Sequence, residues 1–472
     1  MNYGLPYQGS KNRIARRLVD ALPAAPVLYD VFCGGGAVTH AASLRAGQGR
    51  RHGALRGSFG DAGDGAGDCG VQGDDFMKWL DALGVSESYQ VPDAIMKALM
   101  DGTKRHELFS LYLSEFSLDD DPVNVLFQEE HGDRDKFKQD YTPPELARLV
   151  AEMAHRDTGK APATIADLCA GTGTLTLACL KRFPRAFYHC EEVTARAIPF
   201  LLFNLAIRGV NAEVFQQDVL TREVTASWRL IPDGKGFSDI LAGTEARYEK
   251  YDLVVSNPPY SLRWEPFDSL RWRWGVAPKK AADFAFVETG LCMMADGGEA
   301  LFIVPHGVLF RGQAEASIRE SILRDHLLKT LVGVPANLFL NTQIPVCVMR
   351  FGQSDGSVMI VDGSKHFEKR SKQNFLRDED IAAILGGTDA ETPYLSHLAD
   401  MAEIERNQYN LNISRYVCSD VPEELPPLSD TLEDLAKVKR EARECEQKLL
   451  TMLRELTGLS RHERELIEEC FA

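Results

Sequence analysis

From residue 164 onward, short apolar runs alternate with longer stretches whose apolar positions recur at helical spacing. ATIADL, AFYHCE, YDLVVS and EALFIVP read as strands, and LTLACLKRF, AIPFLLFNLAIRG, FAFVETGLCMM and SIRESILRDHLL as the helices that follow them. Regular β-α alternation with strands apolar along most of their length predicts an α/β, doubly wound, largely parallel sheet. Upstream, DDFMKWLDALGV, PDAIMKALMDG and HELFSLYLSEF carry a helical pattern, so residues 75–135 are expected to form a small helical region. At the start of the chain a basic helix (NRIARRLVDAL), an apolar strand (VLYDVF) and a glycine-rich turn (CGGGAV) begin another α/β unit in residues 1–45. Residues 46–74 are too rich in glycine and too poor in large apolar side chains to form a core, and read as a linker. In the C-terminal segment, 425–472, Leu435, Val438, Ala442, Cys445, Leu449, Met452 and Leu456 recur at alternating steps of three and four, the seam of a coiled-coil helix. A single helix lying on its own domain explains the same pattern equally well.

Composition narrows the class. At 472 residues the chain has room for two or three folded units, and its 44% hydrophobic and 26% charged residues are ordinary for a globular protein. The opening MNYGLPYQGSKNRIARR lacks the apolar core of a signal peptide, so a cytoplasmic location without membrane attachment is expected. The ten cysteines include no CxxC pair and no cluster at metal-ligand spacing, which predicts reduced thiols and no metal. A net charge of −16 is unfavourable for gripping nucleic acid. Either the basic residues are concentrated locally or another subunit supplies part of the grip.

Candidate chemistry begins at IADLCAGTGTLTLACL, where a strand ends at Asp167, turns through Ala170, Gly171, Thr172 and Gly173, and enters a helix. Glycines at the carboxyl end of a first strand let the backbone approach a ligand, where doubly wound sheets bind cofactors. Two acids follow at later strand ends, Glu191 in AFYHCEEV and Asp218 in VFQQDVL. The first suits a pair of ribose hydroxyls and the second an adenine amine, with Glu192 a rival to Glu191. YDLVVSNPPYS then sets Asn257, Pro258, Pro259 and Tyr260 just beyond an apolar strand. An adenine amine is a poor nucleophile because its lone pair is delocalised into the ring. The Asn257 side-chain oxygen and the Pro258 carbonyl offer acceptors for both amine hydrogens, and Tyr260 a face for a base rotated out of the duplex. Next, Arg263, Arg271, Arg273, Lys279 and Lys280 interleave with Trp264, Trp272 and Trp274, a pattern suited to phosphates and unpaired bases, or to tryptophans packing a loop.

Residues from about 120 to 420 resemble the modification subunit of type I restriction–modification systems, an N6-adenine DNA methyltransferase family. The resemblance rests on KQDYTPPELARLV, DLCAGTGTLTL, YHCEEV, QQDVL, SNPPYS, KKAADFAFVETGL, GGEALFIVPHGVLFRGQAEASIRESIL, GVPANLFLNTQIPVCVM and ERNQYNLNISRYV. It implies a Rossmann-like, S-adenosylmethionine-dependent methyltransferase domain over residues 136–424. Gln139, Tyr141, Thr142 and Pro143 match the cofactor-binding segment ahead of the sheet, and Gly171, Thr172 and Gly173 the turn holding the methionine end. Glu191 is similar to the ribose-binding acid and Asn257 to Tyr260 match the catalytic tetrad. The partners implied are double-stranded DNA, a separate specificity subunit for which the coiled-coil tail is a dock, and a restriction subunit. Residues 1–45 resemble the start of a Dam-like adenine methyltransferase in YQGSK and FCGGGAV, with no second tetrad before the linker, as in a truncated fragment.

Two other functions remain open from sequence. A protein glutamine methyltransferase faces the same problem of a delocalised nitrogen lone pair, in an amide, with the same motif, and a catalytically idle binding subunit would retain these residues without using them.

Overall fold

The computed structural model describes residues 83–85, 88–119, 127, 141–156, 159–340, 342–371, 373–418, 428–455 and 460–470. The 1–45 fragment, the 46–74 linker, Gln139 and Leu456 lie outside the described residues. The chain divides into two units, Met1–Tyr416 and Val417–Ala472.

In the first unit two helices, α1 (Val91–Met100) and α2 (Gly102–Glu115), precede α3 (Pro144–Met153). The alternation expected from the apolar pattern follows: β1 (Thr164–Leu168), α4 (Thr174–Arg182), β2 (Phe187–Glu192), α5 (Ile198–Ala206) and β3 (Ala212–Gln217). An excursion through β4 (Val224–Pro232) and β5 (Ser238–Ala242) leads to β6 (Tyr251–Ser256), α6 (Asp283–Met293), β7 (Met294–Pro305), α7 (Ala314–Arg324), β8 (Leu328–Gly333) and β9 (Val346–Phe351). β10 (Val358–Asp362), a small β11 (Glu368–Lys369) and β12 (Asn374–Phe375) ladder, α8 (Asp378–Asp389), β13 (Ser396–Ala399) and α9 (Met401–Arg406) complete the unit.

The main sheet among the described residues has eleven strands in the order β13-β10-β8-β9-β7-β6-β1-β2-β3-β4-β5. Its centre, β7-β6-β1-β2-β3, is wholly parallel, as near-continuous apolar strands buried on both faces require. The flanks differ from the expected parallel arrangement. β9 runs antiparallel between β7 and β8, β4 and β5 add antiparallel strands at one edge, and β13 pairs antiparallel with β10. The β4–β5 reversal has a local cause: the Asp233 carboxylate accepts from Lys235 N at 2.7 Å and Phe237 N at 3.1 Å, with Gly234 and Gly236 at φ 75° and 107°. So short a connection permits only an antiparallel partner.

Chain order reverses at β1, with β2 on one side and β6 on the other. In open α/β sheets such a switch point leaves a crevice at the carboxyl ends of the strands. Helices α1 and α2 share the core of this sheet. Phe109 lies edge-on to Phe203 of α5 at 5.5 Å and packs on Phe237 at 5.1 Å, while buried Arg105 donates to Leu99 O at 2.9 Å and pairs with Asp239.

The second unit contains α10 (Leu428–Glu455) and α11 (Arg461–Cys470). The described seam positions of α10 are exposed: Leu435, Val438, Leu449 and Met452 are 48–66% accessible. Among the described residues no helix is long and apolar enough to cross a membrane.

Candidate active site

Three strands end level with one another. Leu168 at the end of β1 is in register with Glu191 of β2 and with Ser256 of β6, and the Ser256 hydroxyl donates to the Leu168 carbonyl. The loops leaving these ends enclose a cavity of about 400 Å³. It brings together most of the residues singled out from sequence: Tyr141, Thr142, Ala170, Gly171, Thr172, Asp218, Asn257 to Tyr260, Arg263 and Trp264. Pro143, Asp167, Gly173, Glu191, Arg271, Arg273, Lys279 and Lys280 are not on its wall.

The glycine turn needs its glycines. Gly171 and Gly173 have φ 58° and 99°, and a Cβ on Gly173 would stand 2.9 Å from Leu201 Cδ1. On Gly171 a Cβ would project to 3.5 Å from the Tyr141 ring, into the space between the turn and that ring. Asp167 lies behind the turn, 1% exposed, its Oδ2 accepting from Thr176 Oγ1 at 2.6 Å and so tying β1 to the first turn of α4. Burial pushes its carboxyl up to about 7, and Oδ1 has no hydrogen-bond partner among the described residues.

The two adjacent acids of β2 part company. Glu192 is on the cavity wall, its Oε2 accepting from Gly171 N at 2.9 Å and its Oε1 from Thr194 N at 2.7 Å. Burial raises its carboxyl against those two donors. Glu191, expected from sequence to face a ribose, is fully buried elsewhere: it bonds His189 Nε2 at 2.8 Å and Arg222 Nη1 at 2.5 Å. The other His189 nitrogen meets Glu213 at 2.7 Å. Burial disfavours the imidazolium, yet the two flanking carboxylates prevail and raise its pKa. The acid at the cavity is therefore the rival, Glu192, because neighbouring strand residues point to opposite faces of the sheet. Asp218 is at the cavity as expected, its Oδ1 accepting from Leu220 N and Thr221 N at 2.8 and 3.1 Å. Val219, Leu220 and Thr221, not singled out from sequence, also line the wall; the first two end the matching stretch QQDVL, and Thr221 follows it.

Asn257 is held on both sides. Its Nδ2 donates to Thr142 Oγ1 at 2.9 Å, and its Oδ1 accepts from the Tyr260 hydroxyl at 2.7 Å. A side-chain amide oxygen has two acceptor sites. The turn after the tetrad rests on Asp283, which accepts from Ser261 N at 2.9 Å and from Arg311 at 2.7 Å. Arg311 is in turn gripped by Glu315. Asp283 and Arg311 lie within the stretches KKAADFAFVETGL and GGEALFIVPHGVLFRGQAEASIRESIL that carry the resemblance, but neither was singled out there.

In the loop between β6 and α6, the packing reading of the tryptophans prevails. Trp264, Trp272 and Trp274 are 8–9% exposed, and their indole N–H groups donate to Pro278 O, Phe267 O and Asp325. Trp264 and Trp272 meet edge to face at 5.3 Å. Arg271, expected to contact nucleic acid, is directed inward, donating to Val219 O at 3.2 Å, to Leu220 O and to Thr289 Oγ1 at 3.1 Å. Arg273 and Lys279 are exposed, in solvent-facing ion pairs with Asp325 and Glu265. Arg263 and Lys280 are exposed as well.

One buried acid underlies this loop. Glu288 accepts from Trp274 N at 3.1 Å, while its buried Oε1 has no partner among the described residues, and burial pushes its carboxyl up to about 8. A native pKa above the unfolded value means the folded state holds a proton the unfolded state lacks. That contribution is complete below the ordinary carboxylate range and lost as pH rises toward 8. Thermal unfolding followed from pH 6 to 9 should show Glu288→Gln losing less stability with rising pH than the wild type; parallel slopes would refute the assignment.

Comparison with known proteins places the chain in a family. The "N-6 DNA Methylase" family model matches residues 127–424, and that for "D12 class N6 adenine-specific DNA methyltransferase" matches residues 7–48. The MpnII type I restriction enzyme methylase subunit of Mycoplasma pneumoniae is 22% identical over 329 residues, which are 64% of this chain and 58% of that protein. The chain spans little more than half the length of the curated relatives of this kind. The crystal structure of a type I restriction-modification system methyltransferase subunit from Streptococcus thermophilus superposes with a TM-score of 0.57 at 26% identity, over 74% of this chain and 77% of that one. A release factor glutamine methyltransferase from Mycolicibacterium smegmatis is 34% identical over 115 residues, 24% of this chain and 32% of that protein. The first family model spans every element that builds the cavity and more than half of the sequence, and the chain belongs to the N-6 DNA methylase family.

Proposed function

We propose that the chain transfers a methyl group from S-adenosylmethionine to the N6 amino group of an adenine rotated out of double-stranded DNA. It would do so in the cytoplasm as the methyltransferase subunit of a type I restriction–modification system, beside separate specificity and restriction subunits. The observation that carries this reading is the meeting of the glycine turn, Glu192 and Asn257 to Tyr260 in one cavity at the switch point of the sheet.

The residues present fit the cofactor. Gly171 leaves open the space under Tyr141 that a side chain would fill, and the wall offers carboxylates of Glu192 and Asp218 for ribose hydroxyls and an adenine amine. When bound, S-adenosylmethionine supplies an electrophilic methyl on a sulfonium. For the target base, Asn257 Oδ1 and the Pro258 carbonyl accept the two amine hydrogens, which localises the nitrogen lone pair. Thr142 fixes the Asn257 amide so that its oxygen, not its nitrogen, meets the amine. Tyr260 supplies the aromatic face, and the bond between Asp283 and Ser261 keeps the tetrad's turn from relaxing. Exposed Arg263, Arg273, Lys279 and Lys280 surround the loop as phosphate contacts.

The glutamine-methylating alternative draws support from a stretch of 115 residues, against 298 matched by the N-6 DNA methylase model over residues 127–424. The test is transfer of labelled methyl from S-adenosylmethionine to unmethylated genomic DNA, with and without a specificity subunit encoded nearby, followed by nucleoside analysis. N6-methyladenine is the expected product. Label in protein alone would point to the glutamine reaction, and label in neither, despite cofactor binding, to an idle binding subunit.

A further inference from the structure

The inward turn of Arg271 has a mechanical consequence. Segment 218–222 and the loop 261–282 both contribute to the cavity wall, through Asp218 to Thr221 in the one and Leu262 to Glu265 with Phe267 in the other. Val219 and Leu220 are 4% exposed, and their carbonyls lie outside any strand or helix. Buried carbonyls need donors, and Arg271, 52 and 51 residues downstream, supplies both with one guanidinium. The same group donates to Thr289 Oγ1 of α6 and to Ser269 Oγ at 3.3 Å, and lies over the Trp272 ring at 4.8 Å. At its far end the segment is anchored by Arg222 on buried Glu191, and internally by the turn on Asp218. A planar fork meets the two carbonyls with separate, rigidly spaced nitrogens, whereas the donors of a lysine ammonium share one nitrogen and have no such fixed geometry.

We propose that Arg271 is a positioning residue: it fastens the loop that follows the tetrad and bears the exposed basic residues to the segment bearing Asp218, so that binding in the cofactor half of the cavity orders the loop before DNA arrives. This rests on the reading of the cavity as an S-adenosylmethionine site. Arg271 touches neither the cavity nor a reacting atom; it acts through Val219, Leu220 and Trp272.

The experiment needs no DNA. Calorimetry measures binding of S-adenosylhomocysteine to the full chain, and hydrogen–deuterium exchange is followed in peptides covering 218–222 and 268–276, the latter lying beyond the cavity-lining part of the loop. In the wild type, binding should slow exchange in both peptides, in the loop by about fivefold or more. In Arg271→Met, binding and protection of 218–222 should persist while protection of 268–276 disappears. Arg271→Lys, which keeps the charge and serves if the methionine variant is unstable, should show partial loss. A role in stability alone would lower the melting temperature and leave the loop's response to ligand intact. Undiminished loop protection in the variants, or none in the wild type, overturns the proposal. Absence of calorimetric binding in the wild type instead refutes the cofactor site, and this proposal with it.

Discussion

Replacing Asn257 with alanine is expected to reduce methyl transfer by about two to three orders of magnitude while changing cofactor affinity by less than about threefold. The asymmetry follows from geometry. Asn257 sits just beyond the end of β6, with its amide held by Thr142 and Tyr260, whereas the glycine turn is held at Gly171 N by Glu192. Its oxygen matters most once the amine begins to give up its lone pair, so the loss belongs in kcat. Single-turnover transfer beside calorimetry with S-adenosylhomocysteine separates the two quantities. Full activity in the variant would remove the tetrad from the mechanism.

The second large effect concerns the paired acids of β2. Glu192→Gln is expected to weaken binding of S-adenosylhomocysteine by about thirtyfold, equivalent to about 2 kcal/mol, because hydrogen bonds to a carboxylate exceed those to a neutral amide. The same change at Glu191 should leave affinity nearly intact and instead lower the melting temperature. Glu191 balances His189 and Arg222 within the sheet; without its charge, buried His189 keeps only Glu213 as counter-ion and part-exposed Arg222 loses its charged partner. The reverse pattern, with affinity lost at Glu191 and kept at Glu192, would sink the assignment.

Much of this protein was legible before any coordinates. The β-α alternation from residue 164 onward, the glycine turn and the Asn-Pro-Pro-Tyr tetrad are local patterns: burial on both faces demands apolar strands, a positive φ demands glycine, and a rigid acceptor pair is written in consecutive residues. The antiparallel β4–β5 edge was legible in principle, in PDGKG, but the apolar alternation drew attention to the parallel centre.

Other assignments depended on tertiary structure. Glu191 and Glu192 are chemically identical neighbours, and only the packing of β2 between β1 and β3 decides which carboxylate faces the cavity and which meets His189. The interleaved tryptophans and arginines supported two readings until each indole N–H found an acceptor. Arg271 turned inward because the buried carbonyls of Val219 and Leu220, more than 50 positions earlier, needed donors. A sequence records which groups can bond. Which of them lies near an unsatisfied partner is settled by contacts between distant segments, and that proximity separates the arginine that positions a loop from those that remain exposed around it.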